Sequence, residues 1–481
     1  MPESLNSKVK TATKWSVIGE IVSKLVTPIT SMVLARLLTP EAFGVVTTLT
    51  MIITFAEIFT DAGFQKYLIQ HEFIDARDQD ESTNVAFWSN LAMSLFFWSI
   101  IAIFADPLAA MVGNPGLGHV LIVACVNIPI AAFSSIQMAL YKRNLDFKTL
   151  FKVRIISTFI PLLVTVPLAF WLRSYWALIV GTITVQTVNA ILLTIHSKWK
   201  PRWFYSFAKL KEMFSFTVWS MVEAISIWLT SYVDVFIVGT MLSQYYLGLY
   251  KTSSTLVGQI MGVVTSITTP ILFSALSRLQ NDEKEFQQLF FRFQKLVGLL
   301  VLPMGMGVFL FSDLVTEMIL GNQWLEASGF VGLWGLTSSI TIVLSHYSSE
   351  VYRAKGRPKL SVLSQVLHIV VLWPTVLIAV NYGFETLYIA RSLVRLEGIA
   401  VNLCIMGLVV KMPVGKMITN VFPSCVAAAC MLFVLLLPAT TSLWINIVYA
   451  ILATAIYFIV VMIFPKERRT LLSMPKLIKN K

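Results

Sequence analysis

Charge is what this chain has least of. Of its 481 residues only 13% are charged while 57% are hydrophobic, and the mean hydropathy is +0.76. A soluble domain carries about 25% charged residues, so too few are present to cover a surface facing water. Long polar connections are missing too, and none between the apolar runs is long enough to fold as a soluble domain of its own. There is no GxxxxGK[ST] phosphate-binding loop, so ATP hydrolysis would have to come from another chain. Cysteine is scarce: Cys125, Cys404, Cys425 and Cys430 all lie inside apolar runs, at spacings of neither a metal site nor a disulfide framework. They are expected to be packed free thiols. No cleavable signal is evident, because the first apolar run, 15–38, is too long for a signal-peptide core and carries Glu20 and Lys24.

What the chain does have is apolar sequence of membrane-crossing length, about 20 residues at a time. Fourteen spans are predicted, at about 15–38, 42–62, 84–105, 119–140, 151–171, 175–196, 213–238, 246–275, 290–311, 328–350, 360–380, 385–409, 416–437 and 444–464. The expected fold class is therefore an all-α polytopic membrane protein. Its connections alternate between basic ones, such as YKRNLDFK and PKERRTLLSMPKLIKNK, and ones nearly free of Lys and Arg, such as DPLAAMVGNPGLG and NYGFE. Cytoplasmic loops collect Lys and Arg, so both termini are expected in the cytoplasm. The net charge of +12 is then an inward collar beside anionic lipid rather than a nucleic-acid surface. The stretch WKPRWFYSFAKLK, 199–211, mixes aromatics with Lys and Arg and reads as an interfacial helix between two halves.

Those halves echo one another. An offset of 204 pairs Trp15-Ser16 with Trp219-Ser220, Leu38-Thr39 with Leu242-Ser243, and Gly44 with Gly248. An offset of 211 pairs Tyr141-Lys142 with Tyr352-Arg353 and Lys148 with Lys359. Six spans per half, an even number, leave both halves in the same orientation, so the repeat is a parallel one enclosing a central cavity. The expected division is a first half, 1–197, a basic linker, 198–212, a second half, 213–411, two further spans, 412–464, and a basic tail, 465–481.

The opening hairpin, VLARLLTPEAFGVVTTLTMIITFAEIFTDAGFQKYLIQ, resembles the polysaccharide transporter family of the multidrug/oligosaccharidyl-lipid/polysaccharide superfamily, in its Wzx-type branch of colanic acid, lipopolysaccharide and teichuronic acid exporters. Carrying the resemblance are the turn from Leu34 to Gly44, the acidic Asp61-Ala62-Gly63, and Leu68-Ile69-Gln70. It implies a flippase, not an enzyme, that moves an undecaprenyl-diphosphate-linked oligosaccharide to the outer leaflet of the bacterial inner membrane by alternating access. It further implies transport driven by an ion gradient, H+ or Na+, or by the membrane potential, with no cofactor, and polysaccharide polymerase or chain-length proteins as partners. Two other classes stand beside it: a multidrug or cation antiporter of the same superfamily, and a membrane glycan polymerase or ligase.

Charges within spans are expensive in hydrocarbon and are the candidate sites. Glu20 and Lys24 lie four apart on one face of span one; they either neutralise each other or present a phosphate-attracting cation. Glu223 falls one residue from the repeat-mate of Glu20, and Asp234 restores its face eleven residues on. Glu57 and Asp61 end span two, Glu57 the deeper and better cavity candidate, Asp61 suited to solvation or turn capping. His346, Glu350 and Arg353 line span ten as a proton relay or an interfacial ion pair. Arg391 and Arg395 share a face of span twelve, where two guanidinium forks suit a diphosphate or snorkel to the interface. His368, alone on an apolar span, reads as a satisfied packing residue. Trp15, Trp219 and Trp228 offer stacking faces for sugars, and Pro28, Pro161 and Pro270 are expected to kink their spans.

Overall fold

A computed structural model describes residues 5–61, 63–438 and 442–471. Most of them are helical, with no strand among them. The chain divides into two units, Met1–Lys251 and Thr252–Lys481.

The first unit runs α1 (Leu5–Leu37), α2 (Pro40–Asp61), α3 (Phe64–Gln70), α4 (Ala76–Ile103), α5 (Ala105–Met111), α6 (Gly118–Ala124), α7 (Asn127–Arg143), α8 (Phe147–Ile160), α9 (Val166–Leu172), α10 (Tyr175–His196) and α11 (Phe207–Met241), with the start of α12 (Gln244–Arg278). Side-chain caps start helices where the sequence offers an aspartate. Asp75 accepts from the Asp78 amide at 2.7 Å, and Asp146 from the Thr149 amide at 3.1 Å. Pro161 opens a π-turn, Pro161–Thr165, between α8 and α9, while Pro28 is carried inside α1. Apolar clusters hold the unit: Leu49, Leu121, Cys125 and Ile128 centre one, and Phe64, Leu68, Phe87 and Met213 another.

The two turns that share the 204-residue echo meet each other in this unit. A Cβ placed on Gly44 would fall on the Gln244 carbonyl, and one placed on Gly248 would fall on the Pro40 carbonyl. Pro40 and Gln244 are themselves 204 apart, so each glycine touches the counterpart of its own turn. Asn114 locks the knot by donating to Thr48 Oγ1 at 2.5 Å, and Gln244 Nε2 donates to the Gly113 carbonyl at 2.9 Å.

The second unit continues α12 and adds α13 (Glu283–Leu310), α14 (Ser312–Ile319), α15 (Ser328–Thr341), α16 (Ser348–Ala354), α17 (Lys359–Ala379), α18 (Phe384–Leu408), α19 (Val414–Cys430) and α20 (Leu443–Ile463). A π-turn, Ile342–His346, joins α15 to α16. The last helix is tied back by Tyr457, buried, whose hydroxyl donates to the Leu299 carbonyl at 3.0 Å, and by an ion pair of Lys295 with Glu467 at 2.9 Å.

Among the described residues, twelve helical stretches are long and apolar enough to cross a bilayer. They fall on twelve of the predicted spans, and α1 and α18 occupy the other two positions. Leu163, Trp171, Val370, Ile378, Leu436 and Ile459 stand exposed on these helices, an apolar surface that suits lipid. This is a multi-pass membrane protein.

Two expectations fail. The segment 197–206 is not helical, and the helix begins only at Phe207. Pro201 offers no amide and turns Lys200 away from the helical region. The strand of chain is instead pinned to α4: Arg202 donates its amide to Asn84 Oδ1 at 2.7 Å, and Trp88 Nε1 donates to the Arg202 carbonyl at 2.8 Å. Asn84→Ala should cost about 1 kcal/mol here, a roughly fivefold rise in local opening. Tryptic cleavage after Arg202 in the purified chain should rise by that factor. The cysteines are all free, but only Cys125 is buried, while Cys404 and Cys425 are exposed on their helices.

Candidate functional site

A cavity of about 460 Å³ opens inside the first unit, between α2, α3, α4, α7, α10 and α11. Its wall is polar for a membrane protein: Thr54, Glu57, Asp61 and Lys66, faced by Asn90, Ser134, Ser135 and Gln186. Glu57 and Asp61 sit one turn apart on α2, as their spacing requires. Gly63 then takes φ 75°, a left-handed conformation that glycine adopts without strain, and the chain reverses into α3. Asp61 accepts hydrogen bonds from Gln65 in that turn, with Lys66 and Lys142 nearby. Its Oδ1 is buried without a partner among the described residues. Asn90 donates to Ser135 Oγ at 2.6 Å, fixing the opposite wall. Trp228, on α11, donates to Thr54 Oγ1 at 3.2 Å and packs on Phe55 with ring centroids 4.8 Å apart.

Below this cavity a polar cluster ties the α2–α4 connection to α11. Tyr67 donates its hydroxyl to Glu212 Oε1 at 3.0 Å, and burial, followed by that carboxylate, holds the phenol above its ordinary range. Arg143 donates to the carbonyls of Leu68 and His71 at 2.8 and 2.7 Å and caps the Phe73 ring.

Of the residues singled out by sequence, Glu57 and Asp61 therefore share one cavity. Lys24 lies on α1, on which Ser23 bonds Thr158 at 3.2 Å and accepts from Arg154 Nε at 3.0 Å. The side chains of Glu20, Glu223 and Trp219 lie outside what the structure describes. Asp234 is buried against α12, accepting from the Tyr250 hydroxyl at 2.5 Å and the Val235 amide at 2.8 Å.

In the second unit the π-turn sends His346 and Glu350 to different partners. His346 Nε2 lies 3.2 Å from Thr269 Oγ1, whereas buried Glu350 pairs with Arg353. An extra residue in the turn rotates one relative to the other. Arg391 and Arg395 both stack on Trp334, at 4.9 and 4.0 Å from its centroid, and Arg395 donates to Ser338 Oγ at 2.6 Å. His368, read as a satisfied packing residue, has a partner that its sequence neighbourhood did not show: its Nδ1 lies 2.9 Å from Glu397 Oε2. Glu397 was missed although it is an ionisable residue in an apolar span, the same signal that singled out Arg395.

Residues 33–329, more than half of the chain, match the sequence pattern of a polysaccharide biosynthesis protein family. The chain belongs to this family. Relatives include the succinoglycan biosynthesis transport protein ExoT of Rhizobium meliloti (strain 1021), 24% identical over 71% of this chain and 68% of that one. The lipopolysaccharide biosynthesis protein WzxC of Escherichia coli (strain K12) is 21% identical over 67% and 65%. Among solved structures, lipid II flippase MurJ in an inward closed conformation superposes with a TM-score of 0.76 at 14% identity, covering 95% of this chain and 99% of that one. An inward-facing multidrug resistance MATE family transporter of the MOP superfamily gives 0.61, at 14% identity over 84% and 98%. These neighbours share the fold of this family member.

Proposed function

We propose that the chain is a flippase for a lipid-linked oligosaccharide, moving an undecaprenyl-diphosphate-linked surface-polysaccharide unit from the cytoplasmic to the outer leaflet by alternating access. The observation that carries this reading is the coincidence of family and fold. A polysaccharide biosynthesis sequence pattern lies on a fold whose near-complete superposition is with a lipid flippase. The polar cavity around Glu57 supports it, since hydroxyls and amides suit a sugar and apolar walls do not. The membrane is then a bacterial inner membrane, and the distribution of Lys and Arg supports cytoplasmic termini. The six-plus-six repeat, with two further spans, is supported by the reciprocal contacts of Gly44 with Gln244 and Gly248 with Pro40. Chain-length or polymerase proteins are the expected partners.

The deciding experiment is deletion of the gene and measurement of lipid-linked units reaching the outer leaflet; an undiminished rate overturns the reading. The second reading, a drug antiporter, draws on the MATE likeness. It requires that overexpression raise resistance to amphipathic cations, and the flippase reading requires that it does not.

Within the flippase reading, Lys24→Ala and Glu223→Ala reduce export more than Asp61→Ala. For Lys24, a charged hydrogen bond to a diphosphate is worth about 1.5–3 kcal/mol, roughly tenfold or more in rate. Near-normal export by both of the first two variants removes them from the substrate path.

A further inference from the structure

The His368–Glu397 pair belongs to none of the features above. His368 stands nine residues after Lys359 and eleven before Ala379, and Glu397 thirteen after Phe384 and eleven before Leu408. At a rise of 1.5 Å per residue, both are about 14 Å or more from either end of their helices. An imidazole and a carboxylate thus meet at mid-membrane, where an ionised side chain is most expensive. Apolar residues of the same volume would join α17 to α18 at less cost, so packing alone does not account for the pair.

The pair is also neither sealed nor crowded. The two side chains are 20% and 23% exposed, and a Cβ on neighbouring Gly398 would still lie 3.6 Å from His368 Nδ1. The charged groups acting on His368 are Glu397, Arg391 and Arg395, all from α18. Elsewhere on its neighbours, α15 has no ionisable side chain, and α16 carries Glu350 and Arg353, which pair with each other. His346, in the π-turn packed on α18, faces Thr269, and Lys416 of α19 lies over Phe291.

We propose that His368 and Glu397 form a proton-binding site of the second unit, loaded and unloaded once in each transport cycle. The inference rests on the transport reading above. A proton enters at His368 Nε2 while Nδ1–H stays directed at Glu397 Oε2, giving an imidazolium–carboxylate pair, and it leaves by the same atom. Each loading adds one positive charge beside the guanidinium groups of Arg391 and Arg395, so an anionic substrate group is drawn more strongly to the loaded state. The donor set suits a proton and not Na+, which needs a cage of oxygens. Among the described residues no three His, Cys, Asp or Glu side chains cluster to hold a metal ion.

The test uses the full chain in phosphatidylethanolamine–phosphatidylglycerol liposomes. Infrared difference spectra between about pH 8 and about pH 5, the range in which histidine changes charge, should contain imidazole and carboxylate bands that vanish in both His368→Gln and Glu397→Gln. Identical spectra in the wild type and both variants overturn the site. In parallel, flipping of a fluorescent undecaprenyl-diphosphate-linked oligosaccharide should accelerate up to about tenfold per pH unit of imposed gradient. That response should disappear in the double variant His368→Gln/Glu397→Gln, whose thermal unfolding should match that of the wild type. A pair that merely locked two helices would keep the gradient response when replaced by two hydrogen-bonding amides, and that result also overturns the site. Wild-type protein that shows the bands but moves no lipid supports the proton site and overturns the flippase reading.

Discussion

Replacing Gly44 or Gly248 with alanine destabilises the chain by about 3 kcal/mol or more and stops export. Overpacking in a filled interior typically costs 1–3 kcal/mol when a flexible side chain gives way. Here the obstacle is backbone, the Gln244 carbonyl for one glycine and the Pro40 carbonyl for the other, so either α2 or α12 must shift as a whole. Helix propensity pulls the other way, since alanine in a helix interior is favoured over glycine by about 1 kcal/mol. Gly258 and Gly307, with open space where a Cβ would go, isolate that opposing term. Gly258→Ala and Gly307→Ala are expected to be neutral or slightly stabilising. Thermal unfolding of the purified variants, read with export in cells, checks all four. Wild-type unfolding and export by Gly44→Ala would show that the two turns part at no cost.

Lys295→Ala should be about as damaging through a different mechanism. Its ammonium lies 2.9 Å from a Glu467 carboxylate that is only 3% exposed, so truncation leaves a buried charge without its partner. Removing one member of such a pair costs about 3–5 kcal/mol, whereas replacing both with apolar residues of similar size is often neutral. The double variant Lys295→Met/Glu467→Leu should therefore recover most of what Lys295→Ala loses. Because Glu467 follows α20, unfolding that starts at the C-terminal end should come first in the single variant. Hydrogen exchange across α19 and α20 reads this directly: faster exchange there in Lys295→Ala and restored protection in the double variant are expected. Equal protection in all three chains would mean that the pair carries no stability.

Much of this architecture is legible in the residues. The predicted span at 175–196 is α10, and the one at 444–464 is displaced by a single residue from α20. Length and apolar content settle such elements, because a bilayer leaves the backbone no alternative to the helix. The linker departs from the expected helix for a non-local reason: alternating aromatic and basic residues suit an interfacial helix, but Asn84 and Trp88, more than one hundred residues earlier, hold that backbone extended. The π-turn at Ile342–His346 leaves no local signature either, and it decides which way His346 points.

The candidate site divides along the same line. Glu57 and Asp61 could be placed on one face from their spacing of four, and Arg391 and Arg395 likewise. The partnership of His368 with Glu397 spans two helices and 29 positions, and that of Arg395 with Ser338 spans 57. The sequence alone determined the fold class, the span positions and the inventory of charges within them. Hydrophobic length and the cost of a charge in lipid are properties of each segment by itself. Only tertiary structure decided which of those charges meet, and that Gly44 and Gly248 each lie on the other's turn, because contact depends on the packing of helices far apart along the chain.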